Sequence, residues 1–321
     1  MSETALYPLR FDPIYQYRLW GGRRLADLLS AKLPAGPVGE AWVLSDRDDH
    51  ESHVSDGALK GQTLAQLLAQ FPEAVMGRLA GRFTRFPLLL KFLDARELLS
   101  VQVHPDGDHG KTEAWVVLEA GLKSCIYAGL TDGTTEKALR RAVDEHKVAE
   151  LLVSFHPEVG DAVFIPGGTV HCLGGDVVVF EVQQNSDETF RLYDWQRIDP
   201  DTEKRRPLQV DLALASVEYA ERKSGLVRPV AEDAAPLERE LLFDCDYFEV
   251  NRLRGDSPFL VGAPEVPSVL ACVDGAGRIE HDGKTCTVAK GDVFLLPASI
   301  GTCTCLPDDA ALTVLEIAIP E

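Results

Sequence analysis

The chain has 321 residues, of which 51 are acidic and 32 basic, and its formal net charge is −19. So acidic a chain offers no broad field that attracts phosphate, which argues against nucleic acid or an anionic membrane as its partner. The length allows a large core and two domains, and a single large β protein is also compatible with it.

The N-terminus and the cysteines indicate the compartment. The first twenty residues, MSETALYPLRFDPIYQYRLW, are interrupted by polar side chains and hold no apolar run long enough for a signal peptide or a membrane span. The seven cysteines form no CxxC pair, and Cys303 and Cys305 alternate with threonine as strand neighbours do. We expect a cytoplasmic protein with reduced thiols, and its sequence is compatible with a monomer and with a homodimer.

The first part of the chain predicts short strands around one helical insertion. Residues 5–24 read as an extended segment that ends in a turn, and residues 39–46, GEAWVLSD, as a short strand. In that strand Glu40 fits a solvated edge carboxylate and a site residue equally well. Residues 61–82 place leucines at helical spacing, and Pro72 interrupts them, so we expect a helical insertion that breaks there.

A buried strand follows the insertion. Residues 86–93, FPLLLKFL, form a nearly continuous apolar run, which is typical of a strand that is covered on both faces. Lys91 within this run is costly to bury unpaired, so it either reaches an edge or faces a polar cavity. We favour the cavity, because the same sheet is expected to carry the candidate metal site.

That candidate metal site begins within residues 98–115, LLSVQVHPDGDHGKTEAW. Gln102 and His104 are two residues apart in an alternating run, so both side chains leave the strand on the same face. An amide oxygen, an imidazole and the carboxylate of Glu113 lack one ligand for a tetrahedral protein site, and His171 in a later strand would supply it. Taken alone, His104 also fits a packed or solvated histidine.

Two strands and a second helical insertion follow. Residues 115–130 predict the strands, and residues 134–153 predict a helix or helix pair that opens with a threonine cap. His146 and His156, in or beside this insertion, read as solvated histidines. His109, in the turn before the carboxylate ligand, is a candidate to shield or approach the metal, and its role stays open.

The second half of the metal site carries a signature. Residues 160–171, GDAVFIPGGTVH, space a glycine, a proline, a second glycine and His171 as in the second signature of the cupin barrels. Gln102 and His104 resemble a variant of the first cupin signature, in which Gln replaces a histidine. The glycine and proline turns re-aim the following strand, so that His171 points inward.

A further carboxylate and an arginine follow His171. Glu181 lies among apolar neighbours in the predicted strand 177–183, and Arg191 comes ten residues later. A carboxylate in such a strand is either paired or functional, and we favour a functional role because the metal site is near. Residues 198–240 are charged and then amphipathic, and they predict a helix and a connection to a second lobe.

The second lobe contains an internal repeat of the first. KGDVFLLP at 290–297 aligns without gaps with VGDAVFIP at 159–166, and Thr302 stands where the first copy has His171. We therefore predict a mainly β protein of two cupin, or jelly-roll, barrels with inserted helices, the second barrel lacking metal ligands. Residues 1–220 would form the catalytic domain, and residues 221–321 a non-catalytic, structural or interface domain.

Several long stretches resemble the type I mannose-6-phosphate isomerases in their short bacterial form. The stretches are FPLLLKFLDARELLSVQVHPD, the KTE at 111–113, PGGTVH at 166–171 and QQNSDETFRLYDWQR at 183–197. The match covers most of residues 7–220 and weakens through the second barrel. The resemblance implies an enzyme that interconverts mannose 6-phosphate and fructose 6-phosphate through a cis-enediol.

The same resemblance implies the cofactor and one catalytic residue. One Zn²⁺ per chain would lie on Gln102, His104, Glu113 and His171, although another divalent metal is also compatible with these ligands. Arg191 would be a catalytic residue, and zinc would act as a Lewis acid on the sugar oxygens.

The reaction also needs a base and a grip on the phosphate. Glu181 would take the C2 proton if burial raises its pKa toward neutrality, while a zinc-bound hydroxide and Lys111 are competing bases. No glycine-rich phosphate loop is present, so Lys91, Lys111 and Arg191 are the available cations. Arg191 is therefore a candidate for two roles, enediolate stabiliser and phosphate clamp.

Two other functions are considered on the same barrel. Cupins also serve as non-catalytic modules that bind sugar phosphates, but such a module would be expected to lose a ligand or the cations, and all are present. A metal-dependent oxygenase would use two histidines and a carboxylate, which His104, His171 and Glu113 would provide. The long match around Arg191 argues against the oxygenase.

Overall fold

The computed structural model describes residues 5–199, 202–220 and 224–321, and these form a mainly β protein of two lobes. Strands of the first part of the chain are β1 (Leu9–Arg10), β2 (Ile14–Gly22), β3 (Val38–Leu44), β4 (Leu88–Ala95), β5 (Val101–Val103), β6 (Glu113–Ala120), β7 (Ile126–Leu130), β8 (Leu152–Phe155), β9 (Ala162–Ile165), β10 (His171–Cys172), β11 (Val177–Gln184), β12 (Phe190–Tyr193) and β13 (Gly225–Val227). Strands of the last part are β14 (Val230–Glu232), β15 (Glu238–Asp244), β16 (Glu249–Gly255), β17 (Phe259–Val261), β18 (Ser268–Asp274), β19 (Ala276–His281), β20 (Lys284–Ala289), β21 (Val293–Leu296), β22 (Cys303–Pro307) and β23 (Leu312–Ala318). The α-helices are α1 (Leu25–Leu28), α2 (Leu64–Gln70), α3 (Pro72–Met76), α4 (Glu136–Asp144) and α5 (Val210–Ser216).

The first lobe is built from two antiparallel sheets. A seven-stranded sheet has the order β13-β9-β6-β11-β4-β2-β3, and a five-stranded sheet has the order β12-β5-β10-β7-β8. Side chains from both sheets, such as Trp115 and Val179 from one and Val103 and Cys172 from the other, share one apolar core. The sheets therefore pack face to face, as predicted for a cupin barrel.

The seven-stranded sheet is covered on both faces. Every residue of β4 and β11 is buried, and the side chains opposite the first core, Phe92 and Phe180 among them, belong to a second core that extends into the later lobe. Burial on both sides explains why these strands read as continuous apolar runs rather than as alternating patterns. Lys91 and Glu181, on the inner face of the same strands, are buried as well.

The second lobe repeats the arrangement. Its sheets have the orders β1-β21-β18-β23-β16-β15-β14 and β17-β22-β19-β20. The two aligned repeats, 159–166 and 290–297, contain β9 and β21, and Thr302 is exposed beyond the second. Strand β1 pairs with β21, so the start of the chain joins the sheet of the last lobe. The division at residues 220 and 221 stays a prediction.

Both helical insertions are confirmed. In the first, Thr63 accepts a hydrogen bond from the backbone of Gln66 and caps α2, and Pro72 is the first residue of α3, where its missing N–H costs nothing. In the second, Thr135 caps α4, and a 3₁₀ turn at Val148–Leu151 follows. None of the described helices has both the length and the apolar character that crossing a bilayer requires.

The glycine pair at the end of β2 allows close packing of two strands. Strand β2 continues through Gly21 and Gly22, and the predicted turn follows directly. A Cβ on Gly21 would lie 2.3 Å from the backbone nitrogen of Gly39. Only glycine lets the backbones approach so closely at this edge of the cavity described below.

Candidate active site

The four predicted metal ligands meet between the two sheets of the first lobe. Gln102 on β5 lies directly opposite His171 on β10, and His104 is the first residue after β5. Glu113 is the first residue of β6 in the facing sheet. His104, Glu113 and His171 are each about 1% exposed, and each offers a ligand atom within 4.8 Å of the others. The structure thus brings together all four.

The side chains point their ligand atoms at one another. Nε2 of His171 lies 3.2 Å from Oε1 of Glu113, and Nε2 of His104 lies 3.5 Å from Oε2 of the same carboxylate. The amide group of Gln102 lies 3.2 Å from Nε2 of His171 and 3.4 Å from Nε2 of His104. These contacts define a cluster small enough for one ion.

The outer nitrogens of both histidines fix the tautomers. Nδ1 of His104 lies 2.7 Å from the carbonyl oxygen of Glu188, and Nδ1 of His171 lies 2.8 Å from that of Thr169. A carbonyl oxygen only accepts, so each Nδ1 carries the proton and each Nε2 presents a lone pair to the cluster. Backbone oxygens that orient ligand histidines in this way are usual around protein metal sites.

The carboxylate completes a set of electron-pair donors. Burial alone would raise the pKa of Glu113, but the neighbouring ammonium group of Lys111 holds that pKa well below its usual range. Neither oxygen accepts a hydrogen bond of good geometry from the described residues, although both are buried. Two imidazole lone pairs and an anionic carboxylate that converge in a buried site fit a divalent cation.

The cluster lines one cavity of about 420 Å³. Its described charged residues are balanced, with basic Arg18, Lys91, Lys111, Arg191 and Arg206 and acidic Glu40, Glu113, Glu181, Asp187 and Asp199. A cavity of this size suits a small polar molecule. Six of the eight residues predicted for the site line the cavity, and the other two, His104 and His171, contact Glu113.

Lys91 faces this cavity, as predicted. It is 3% exposed, and its Nζ lies 3.5 Å from Oε1 of Glu181, 3.9 Å from Oε2 of Glu40 and 4.8 Å from the ring centre of Trp42. Two carboxylates and an aromatic face compensate the burial of the ammonium group. The ammonium group of Lys91 therefore does not extend to the edge of the sheet.

The solvated reading of Glu40 is wrong. Its side chain is buried, accepts a hydrogen bond of 2.6 Å from the indole of Trp42 and pairs with Arg18 through both oxygens. Burial raises the pKa of Glu40, but Lys91 and Arg18 outweigh it and lower the pKa to about 2. Glu40 is therefore an anion of the cavity wall.

Glu181 lies at the centre of the wall. It is 2% exposed, its Oε2 accepts a hydrogen bond of 2.9 Å from the indole of Trp115, and its Oε1 lies 3.6 Å from Nζ of Lys111. Burial raises its pKa above the usual value even though Lys111 and Lys91 oppose the shift. Lys111 itself lies 2.5 Å from Oε2 of Glu113, so it is an ammonium group in an ion pair.

Arg191 lies one strand away from the cluster. It pairs with Gln102 across β12 and β5, on the side of Gln102 that is opposite to His171. Two strand spacings of about 4.8 Å place its backbone about 10 Å from that of His171. Its Nη1 donates to the carbonyl oxygen of Pro207, and its buried Nε has no hydrogen-bond partner among the described residues.

The other histidines lie apart from the cluster. His109 is exposed and lines a separate pocket, and His146 and His156 are exposed, as predicted for solvated residues. In the second lobe, His281 contacts only the neighbouring Asp282 among its described ionic contacts. Of the described residues, those of the first lobe alone form a candidate metal cluster.

Sequence reasoning missed several residues of the cavity wall, among them Trp115, Arg18, Arg206 and Ser100. The side chains of Arg18 and Trp115 point from their strands into the cavity, and only knowledge of the strand pairing would have predicted this. Arg206 is held by Asp194, whose Oδ2 accepts from its Nε at 2.8 Å, in a segment without a periodic pattern. Such contacts depend on long-range packing and leave little local signal.

Two family models match the chain. The model described as "Phosphomannose isomerase type I, catalytic domain" matches residues 9–127, and "Mannose-6-phosphate isomerase, cupin domain" matches residues 239–305. Mannose-6-phosphate isomerase ManA of Bacillus subtilis is 33% identical over 312 residues, with 92% of this chain and 94% of that protein covered. Mannose-6-phosphate isomerase of Streptococcus mutans is 32% identical, with 91% and 93% covered.

Solved structures agree with these relatives. The crystal structure of the mannose 6-phosphate isomerase from Bacillus subtilis superposes with a TM-score of 0.88 at 29% identity and covers 97% of this chain and 99% of that one. The Salmonella typhimurium mannose 6-phosphate isomerase (apo form) gives a TM-score of 0.78 at 16% identity, with 99% and 100% covered, and supports the fold alone. From its sequence relatives across nearly the whole length and its buried cluster of ligands, this chain belongs to the type I mannose-6-phosphate isomerases, a family of aldose–ketose isomerases.

Proposed function

We propose that the chain interconverts mannose 6-phosphate and fructose 6-phosphate through a cis-enediol, with one Zn²⁺ per chain and with Glu181 as the base. The observation that carries the proposal is one cavity that joins the ligand cluster to a buried carboxylate oxygen that accepts no hydrogen bond from the described residues. Oε1 of Glu181 is buried and accepts no hydrogen bond from the described residues. A substrate C–H bond is a natural partner for such an oxygen.

The ion would be held by Gln102, His104, Glu113 and His171. Zinc fits this set, because the imidazole nitrogens and the carboxylate are its usual ligands, although manganese or iron would also accept them. When bound, the metal supplies positive charge for the oxygens of the sugar. The identity of the metal is part of the proposal.

The proton moves between two neighbouring carbons. Glu181 takes the proton from C2 of the open-chain aldose, and the electrons of that C–H bond form the C1–C2 double bond of the enediol. The hydroxyl at C2 gives up its proton as the C1 oxygen gains one, and the carboxyl group then returns a proton to C1 to give the ketose. Lys111, held near both Glu113 and Glu181, would donate a hydrogen bond to the oxygens that become negative.

The phosphate would bind at the Arg191 end of the cavity. It is the far end of a six-carbon chain whose reacting carbons lie near the ligand cluster, and Arg191 is about two strands from His171. An unpaired guanidinium N–H suits a phosphate oxygen. We therefore favour the phosphate clamp over direct stabilisation of the enediolate. Lys91 lies between two carboxylates and would bind a hydroxyl of the sugar.

The first test is the coupled isomerisation of mannose 6-phosphate after removal and return of the metal. We expect activity to disappear on treatment with a chelator and to return with Zn²⁺, with about one equivalent of metal per chain in the active protein. Recovery with manganese or iron but not zinc would overturn the zinc assignment alone. No activity under any of these metals would overturn the proposed reaction.

The pH dependence of kcat provides a second prediction. The base must be ionised, and burial raises the pKa of Glu181 above its usual 4.5, so kcat should fall as the pH decreases through that raised pKa. Measurement of kcat at saturating substrate avoids the titration of the free phosphate ester. A kcat that stays constant down to pH 4.5 would argue against Glu181 as the base.

The non-catalytic sugar-phosphate-binding module is disfavoured as an alternative. The chain is an isomerase by family, and it retains the complete ligand cluster together with Lys91, Lys111 and Arg191. A binding module would have no need for a buried carboxylate oxygen that accepts no hydrogen bond. The oxygenase is disfavoured for the same family reason.

A further inference from the structure

Four side chains form a row across the seven-stranded sheet. Glu181 on β11 lies directly opposite Trp115 on β6 and opposite Lys91 on β4, and Lys91 in turn lies opposite Trp42 on β3. All four are buried, and they lie on the face that is turned toward the five-stranded sheet. Each carboxylate in or beside this row is paired with one indole, Glu181 with Trp115 and Glu40 with Trp42.

Trp115 makes the one hydrogen bond that Glu181 accepts from the described residues. The indole Nε1 donates to Oε2 at 2.9 Å, and both side chains are at most 2% exposed. The ring of Trp115 also meets that of His171 edge-on, with 5.8 Å between centres. The residue therefore packs between the carboxylate and the ligand cluster.

This hydrogen bond makes the two carboxylate oxygens of Glu181 different. Oε2 is occupied by the indole, whereas Oε1 lies 3.5 Å from Nζ of Lys91 and 3.6 Å from Nζ of Lys111. Without the indole N–H, the carboxylate would be free to turn either oxygen toward these two ammonium groups. A carboxylate that can rotate no longer keeps Oε1 in one direction, and a base that is not held in place is less effective.

We propose that Trp115 is a positioning residue for the reaction: its indole N–H holds Oε2 of Glu181, so that Oε1 is the atom that takes the substrate proton. This inference rests on the proposed role of Glu181 as the base. It concerns the orientation of that base rather than its identity, and it assigns a function to a tryptophan that also completes the core.

The test is Trp115→Phe, which removes the N–H and keeps an aromatic ring against His171. We expect kcat to fall about tenfold, which is the usual effect of losing one hydrogen bond to a charged group, while KM changes by less than about twofold. Equal metal content and a cooperative melting transition well above the assay temperature would show that the variant is folded and loaded. Trp195→Phe is the matched control, because it loses an indole hydrogen bond to the carbonyl of Leu99 and is not among the described residues that line the cavity.

A second background separates orientation from structural damage. In Glu181→Gln the base is gone, so the further change Trp115→Phe should leave the residual kcat the same within about twofold. Damage to the metal site or to the fold would lower kcat by the same factor in both backgrounds and would overturn the inference.

The remaining outcomes distinguish the two proposals. Full activity of Trp115→Phe, with Glu181→Gln inactive, would overturn the positioning role and leave the base intact. Full activity of Glu181→Gln would overturn the base and with it the inference. Loss in Trp115→Phe that appears only as a higher KM would place the tryptophan in substrate binding and would also overturn it.

Discussion

Replacement of His171 with alanine is expected to abolish metal binding and to lower kcat/KM about a thousandfold. The reason is that His171 supplies a buried Nε2 lone pair 3.2 Å from Glu113, and no other described imidazole besides His104 reaches the cluster. Loss of the metal removes several kcal/mol of charge stabilisation from the transition state, and each 1.36 kcal/mol corresponds to about a factor of ten. Metal analysis of the purified variant and the coupled assay measure the two effects.

His109→Ala is the control for that variant. His109 comes five residues after His104, but it is exposed and lines a different pocket. We expect its replacement to leave metal content and kcat/KM unchanged. A variant of His171 that keeps its full metal content and activity would exclude this cluster as the metal site.

Replacement of Arg191 with alanine should lower kcat/KM by about two orders of magnitude, mainly through KM. A guanidinium that binds the phosphate does so in the ground state and in the transition state alike, so its loss weakens substrate binding and leaves most of kcat. Arg191→Lys keeps the charge without the planar pair of donors, and we expect it to fall between wild type and alanine. Steady-state kinetics over a wide range of mannose 6-phosphate concentration separates the two constants.

Arg252→Lys provides the comparison for Arg191. Arg252 is also partly buried and donates to a backbone carbonyl, that of Gly160 at 2.7 Å, yet it is not among the described residues that line the cavity. Its replacement should leave both constants unchanged. A fall in kcat with constant KM in Arg191→Lys would instead assign that arginine to the enediolate.

The ligand cluster was predictable because local rules fix it. Strand alternation places Gln102 and His104 on one face, and the turn glycines before His171 aim the next strand inward. The repeat in the second lobe likewise has a local basis, because the same glycine–aspartate pair precedes β9 and β21 and a proline follows each strand. Helical spacing was enough to place α2, and helical spacing together with a threonine cap placed α4.

The setting of the carboxylates was not predictable. In the sequence, Glu40 fitted a solvated strand edge and a site residue equally well. Its partners Arg18 and Lys91 lie on two other strands, and the sequence of its own strand does not indicate them. Trp115 lies two residues after the KTE motif, yet its role depends on the register between β6 and β11. The sequence of a strand indicates which face is buried, but it does not specify which residues of the neighbouring strand lie opposite.

By itself, therefore, the sequence determined the mainly β class, the helical insertions, the four candidate ligands and the family, since these follow from short periodic patterns and from motifs that are contiguous in the chain. Only the tertiary structure decided which ammonium groups flank Glu181, how far Arg191 lies from the ligand cluster and that β1 joins the last sheet. The physical reason is that strand order and register bring together residues as far apart as Leu9 and Leu295, and such pairings are stabilised by burial of the whole core rather than by any local segment.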